Sequence, residues 1–194
     1  MSVPEETRQL WIEKGYEHFA LYGPKNLSIN KLSKTTGSSR ASFYHHFGDI
    51  DVFVDELLAK HWYLTETINS SGRKECKRLF PDLYNLLEQN PLPLQFSLQL
   101  FHNRSNPEFN FVFIKSYEEI AKSFALKLFI KHFGLLQSER EVYPLWLTLG
   151  EAWYSRLDPN DLTSETLQKH AEEILQNLSE FVNSALYKQL RNTV

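Results

Sequence analysis

Between Leu27 and Asp49 the chain reads LSINKLSKTTGSSRASFYHHFGD, two short amphipathic segments hinged at a glycine. In the first, Ile29 and Leu32 fall three apart on one helical face, while Asn30, Lys31 and Lys34 project elsewhere. Ser28 stands just before that run, where a hydroxyl can cap free helix N–H groups. Gly37 closes it, as a residue tolerant of positive φ does at a helix C-terminus. Ser38 or Ser39 then opens a second helix, Arg40 to Phe47. Helix, tight turn, helix is the outline of a helix-turn-helix.

The charge pattern sharpens this. From Pro24 to Gly48 the chain carries Lys25, Lys31, Lys34 and Arg40 and no Asp or Glu. The whole chain has 21 Lys and Arg against 24 Asp and Glu, so an acidic molecule has collected unopposed positive charge in one window. A phosphate backbone attracts such a footprint. Ser39, Arg40, Ser42, Tyr44 and His45 on the second helix have side chains able to reach base edges or phosphates. The competing reading is a solvated helical hairpin whose charges serve solubility.

The run Ser28-Ile29-Asn30-Lys31-Leu32-Ser33, then Gly37-Ser38-Ser39-Arg40-Ala41-Ser42-Phe43-Tyr44-His45-His46-Phe47, resembles the DNA-binding signature of TetR-type (TetR/AcrR family) transcriptional regulators. The Ser, aromatic, Tyr, His, His, Phe tail before Gly-Asp and a long helix is its most specific part. Close similarity covers about the first quarter of the chain. Ser33 and Thr36 depart from the family's small apolar residues, and Ile50 stands where a phosphate-binding Lys is usual. The resemblance implies an all-α fold: a three-helix DNA-binding unit over 1–48 and a helical effector-binding and dimerisation body over 49–194. Carried over position by position, the DNA-binding residues are Lys25, Ser28, Asn30, Arg40, Ala41, Ser42, Tyr44, His45 and His46. The implied partners are a palindromic double-stranded operator, a second copy of the chain and an unidentified small-molecule effector. The implied role is a repressor released by that effector. The alternative is a helical small-molecule-binding protein with weak or lost DNA binding, for which Ile50 speaks.

The rest of the chain reads as helices. Leu10, Trp11, Tyr16, Phe19, Ala20 and Tyr22 make a first helix that Gly23-Pro24 stops, and it is expected to pack on Ile29, Leu32, Phe43 and Phe47. Asp49 can cap a fourth helix from Ile50 to about Asn69, broken by Ser70-Ser71-Gly72. Further helices are expected up to Gln89, over Leu94–His102, from Pro107 to Phe133, over Ser138–Leu157, and from Thr163 or Ser164 onward.

Two constellations stay open between function and packing. The aromatics of the body, with Trp62, Phe96, Phe113, Tyr117, Phe124 and Trp146 as the selected set, form either an effector pocket or an ordinary core. Trp153, Leu175, Leu178, Phe181, Val182 and Leu186 on the last two helices face either a partner copy or their own subunit. Cys76 is the only cysteine, which rules out an intrachain disulfide and suits a reducing compartment. No apolar run is long enough for a membrane span, so a cytoplasmic protein without membrane association is expected. The seven histidines lack metal-ligand spacing, and no catalytic or nucleotide-binding motif occurs. No metal, cofactor or enzymatic activity is expected.

Overall fold

A computed structural model describes residues 3–183, and among them no strand occurs. The helices in chain order are α1 (Val3–Tyr22), α2 (Ile29–Thr36), α3 (Arg40–Phe47), α4 (Ile50–Glu75), α5 (Tyr84–Glu88), α6 (Pro91–His102), α7 (Pro107–Ile120), α8 (Leu126–Phe133), α9 (Glu139–Tyr154) and α10 (Ser164–Asn183). Their contacts divide the chain into two compact units. One holds the chain up to Glu75 together with Asn90–Phe124; the other holds Cys76–Gln89 and the chain from Ala125 on.

The first unit is built on the aromatic stripe of α1. Trp11, Tyr16 and Phe19 are fully buried against the neighbouring helices. Trp11 sets its ring edge against Phe43 of α3 at 5.3 Å. Tyr16 and Phe19 stack on Phe96 of α6 at 4.4 and 4.3 Å. Gly15 admits α4: a Cβ there would lie 2.2 Å from the Phe53 ring. Gln99 of α6 reaches the end of α1, its Nε2 donating to the Ala20 carbonyl at 3.4 Å. Aromatic area of this kind contributes most of the burial energy of a small helical unit.

The fourth helix overturns one sequence expectation. Ser70-Ser71-Gly72 predicts a break near Asn69, yet α4 continues to Glu75. Gly72 is buried beneath the Phe124 ring, where an added Cβ would lie 2.3 Å from ring carbons. The glycine permits close packing between α4 and the segment after α7, and tertiary contact outweighs its low helix propensity. Arg73 Nη1 donating to Ser123 Oγ at 2.8 Å closes the same approach. The long pattern from Pro107 to Phe133 is helical but is interrupted by a π-type turn over Ala121–Ala125. Pro91 and Pro93 lie within the start of α6 rather than before it, where a missing N–H costs nothing.

In the second unit, Trp153 of α9 is buried and donates its indole N–H to the Leu167 carbonyl of α10 at 2.9 Å. Tyr84 packs on Trp153, and Trp146 sets its edge on Phe129. Ser138 and Glu141 form a capping box that starts α9, which ends at Tyr154, three residues short of the expected Leu157. Pro144 sits inside α9. Gly134, at φ 60°, closes α8 in the left-handed conformation.

His61 of α4 is the one fully buried imidazole among the described residues, 1% exposed, and burial pushes its pKa down from 6.5 to about 3. The unfolded ring therefore takes up a proton that the folded ring refuses. Protonation favours unfolding, so stability is full above the unfolded pKa and declines as pH falls from 6.5 toward 3. His18 is shifted in the same direction, first by burial and then by Lys31. Denaturant titrations between pH 7 and 5 should show stability falling by up to about 1.4 kcal/mol per pH unit from His61, and His61→Gln should remove that part of the slope.

Candidate nucleic-acid interface

The helix-turn-helix forms as its residues dictate. Leu32 of α2 is buried, and Gly37 ends the helix at φ 65° with no atom near enough to crowd a side chain. Only the backbone conformation requires glycine there. Two of the three positions that depart from the resembled pattern work inside this turn. Ser33 Oγ donates to the Ser38 carbonyl at 2.5 Å, and Thr36 Oγ1 donates to Leu32 O at 2.9 Å while accepting from Ser38 N at 3.3 Å. Hydroxyls here replace apolar packing with hydrogen bonds that hold the hinge between the helices.

Ser39 caps α3, accepting from Ser42 N at 3.2 Å. Ser28 occupies the corresponding position before α2, but its hydroxyl makes no capping bond, contrary to the sequence expectation. Phe43 and Phe47, one turn apart, point inward; Phe43 meets Trp11, Phe47 and Phe53 at 5.1 to 5.3 Å. With about 100° per residue, this fixes the opposite face. Arg40, Ala41, Tyr44 and His45 are exposed, and Ser42 and His46 half-buried. Asn30 and Lys25 are exposed and Ser28 half-buried. Lys31 and Lys34 of α2 are exposed or nearly so, and belong among the candidates because they share the acid-free window.

At the start of α4, Asp49 accepts from Val52 N at 2.9 Å, so a carboxylate fills the cap. Ile50 follows, half-buried. The positive end of this helix is thus already satisfied by the chain's own anion.

Residues 5–57 match the family described as bacterial regulatory proteins, tetR family. This N-terminal stretch is similar to the DNA-binding head of TetR-type regulators. It is 31% identical over 110 residues to the HTH-type transcriptional repressor AcnR of Corynebacterium efficiens, and 28% identical over 110 residues to AcnR of Corynebacterium glutamicum. Each match covers 55% of this chain and 55% of the relative, so the chain spans about half the length of the curated relatives it matches. In fold it is similar to Salmonella enterica GusR, with a TM-score of 0.56 at 16% identity over 95% of this chain and 99% of that one. A TetR-family regulator candidate from Mesorhizobium loti gives 0.54 at 16% identity, covering 91% and 98%.

Outside this TetR-type head, the selected aromatics behave mainly as core. Phe96 is sandwiched among Tyr16, Phe19 and His61, Phe113 stacks on Tyr117 and meets Phe101, and Phe124 covers Gly72. Half-buried Trp62 carries Lys115 over its ring at 3.9 Å, and Trp146 lies in the second unit. Open clefts lie among the described residues. One of about 330 Å³ lies between α4 and α7, lined by Asp55, Leu58, Pro107, Glu108, Phe111 and Val112. Another, about 800 Å³, is lined by Pro81, Glu88 and the first turns of α10. Neither is lined by any of the six aromatics.

On α10, Leu178, Phe181 and Val182 are exposed and Leu175 is half-buried, a stripe at three- and four-residue spacing. Trp153, grouped with them by sequence, is instead buried within its own unit by its bond to Leu167. Leu186 lies outside the described residues. No helix among the described residues is long and apolar enough to cross a membrane.

Two substitutions test the head. Arg40→Ala should cost about 1–3 kcal/mol of specific binding and relax preference at one position per half-site, whereas Lys31→Ala should weaken all sequences alike. An unchanged consensus selected by Arg40→Ala would show that Arg40 reads no base. Ile50→Lys should strengthen binding to specific and unrelated duplexes and steepen the slope of log K against log salt by about 0.9, one phosphate contact. An unchanged slope in the folded variant would mean that position 50 faces away from the backbone.

Proposed function

We propose that this chain is a sequence-specific DNA-binding transcriptional repressor, acting as a homodimer on a palindromic operator and released by a small-molecule effector. The observation that carries the reading is the outward face of α3. Arg40, Ala41, Tyr44 and His45 stand exposed on a helix held rigidly by Phe43 and Phe47, inside a window free of carboxylates. A short helix projecting donors and a guanidinium from a fixed base suits major-groove reading. The repressors named AcnR share part of this chain's sequence, which supports the sign of regulation.

In this reading residues 1–48 form the reading domain and 49–194 the effector-binding and dimerisation body. The second copy covers the exposed stripe of α10, where Leu178, Phe181 and Val182 would otherwise face water. A role on chromosomal DNA implies a cytoplasmic location. One observation favours the second reading, a helical small-molecule-binding protein with little DNA affinity: at the start of α4 a capping carboxylate and Ile50 stand where a cation would strengthen phosphate binding.

Selection of bound fragments from random duplex DNA at a stated low salt concentration separates the two. A palindromic consensus supports the repressor, and absence of enrichment favours the ligand-binding protein. For the dimer, Leu178→Glu combined with Phe181→Glu should yield monomers with weakened operator binding. Light scattering that shows a wild-type monomer at micromolar concentration would rule the dimer out.

A further inference from the structure

Three helices of the first unit meet at a chain of polar atoms, buried at Tyr16 and His61 and half-buried at Ser97. Tyr16 Oη of α1 lies 2.9 Å from His61 Nδ1 of α4, and Ser97 Oγ of α6 lies 3.2 Å from His61 Nε2. Tyr16 and His61 are each 1% exposed. The imidazole also lies on Phe96 at 4.6 Å, and Phe96 stacks on Tyr16. Both ring nitrogens are thus engaged by α1 and α6, away from the exposed face of α3.

A neutral imidazole has one donor and one acceptor nitrogen, so the chain must run in a single sense. Either Tyr16 donates to Nδ1 and Nε2–H donates to Ser97, or Nδ1–H donates to Tyr16 and Ser97 donates to Nε2. In both cases the tautomer of His61 couples the sense of the two bonds. Apolar side chains of similar volume would pack here without the desolvation cost of a hydroxyl and an imidazole. A directional hydrogen-bond chain adds something stacking lacks: it fixes the rotation and axial register of α1 against α6, whereas stacked rings slide at little cost. Register matters at this place because Trp11, on the same helix as Tyr16, abuts Phe43 of the reading helix.

We propose that Tyr16, His61 and Ser97 form a positioning relay through which α6 sets the register of α1 and, by way of Trp11, the placement of α3 required for specific DNA binding. The proposal rests on the DNA-binding reading above. None of the three residues touches DNA; they act through α1.

The test compares wild type, Tyr16→Phe, Ser97→Ala, the double variant and Ser97→Thr. Each is measured for affinity to the selected operator, for affinity to an unrelated duplex at the same salt, and for thermal melting. The relay predicts that each single removal weakens operator binding about 5–20-fold while unrelated DNA changes less than about twofold, because phosphate attraction tolerates misplacement and base contacts do not. The double variant should be no weaker than about the worse single, since a broken chain cannot be broken again. Ser97→Thr keeps a hydroxyl and should restore most of the affinity. Equal losses on operator and unrelated DNA, additive losses, or losses that track the unfolded fraction overturn the relay. If wild type selects DNA and the variants bind it unchanged, the relay alone fails. If wild type selects no DNA, the repressor reading fails and the relay with it.

Discussion

The burial of Phe43 governs the candidate interface. Its ring meets Trp11 from α1, Phe47 from its own helix and Phe53 from α4, so three directions of packing converge on one residue of an eight-residue helix. A helix so short has little intrinsic stability in water and exists because its apolar face is held. Once Phe43 and Phe47 are fixed, helical geometry leaves no freedom over which residues face outward. Arg40, Ala41, Tyr44 and His45 are exposed as a consequence of what the phenylalanines bury. The Ser39 cap and the hydroxyl bonds of Ser33 and Thr36 then hold the entry to α3, so the same helix is fixed at its base and at its start.

Local chemistry makes much of this legible in the sequence. Gly37 and Asp49 act where a residue tolerant of positive φ and a capping carboxylate are expected, and the inward and outward residues of α3 follow from a period of about 3.6. What the sequence hides depends on partners distant along the chain. Gly72 looks like a helix breaker until Phe124, far along the chain, is found lying on it. Trp153 belongs to an apolar stripe that could face a partner, and only the Leu167 carbonyl shows where its N–H goes. His61 lies within a helical stripe and looks like filler, because its partners Tyr16 and Ser97 lie 45 and 36 residues away. The selected aromatics illustrate the same limit: composition cannot separate a pocket from a core, since both require the same residues at the same spacing.

The charge of the head links these observations. Between Pro24 and Gly48 the cations are Lys25, Lys31, Lys34 and Arg40, and the next residues bring Asp49, Asp51 and Asp55 rather than a lysine. Asp49 occupies the start of α4, where a phosphate could otherwise approach free N–H groups. In the proposed repressor, these carboxylates at the start of α4 offset part of the phosphate attraction that the Pro24–Gly48 cations supply. On that reading, selectivity for a chosen site rests on base contacts, which are short and directional and lose strength when a helix shifts by about an ångström. Precise placement of α3 is therefore worth more here than in a head rich in lysine. That gives a physical reason for a buried hydrogen-bond chain beneath α1 where apolar packing alone would supply stability. In the proposed repressor, the carboxylates at the start of α4 and the hydrogen-bond chain of Tyr16, His61 and Ser97 belong to one arrangement, in which geometry at α3 supplies selectivity that charge alone does not.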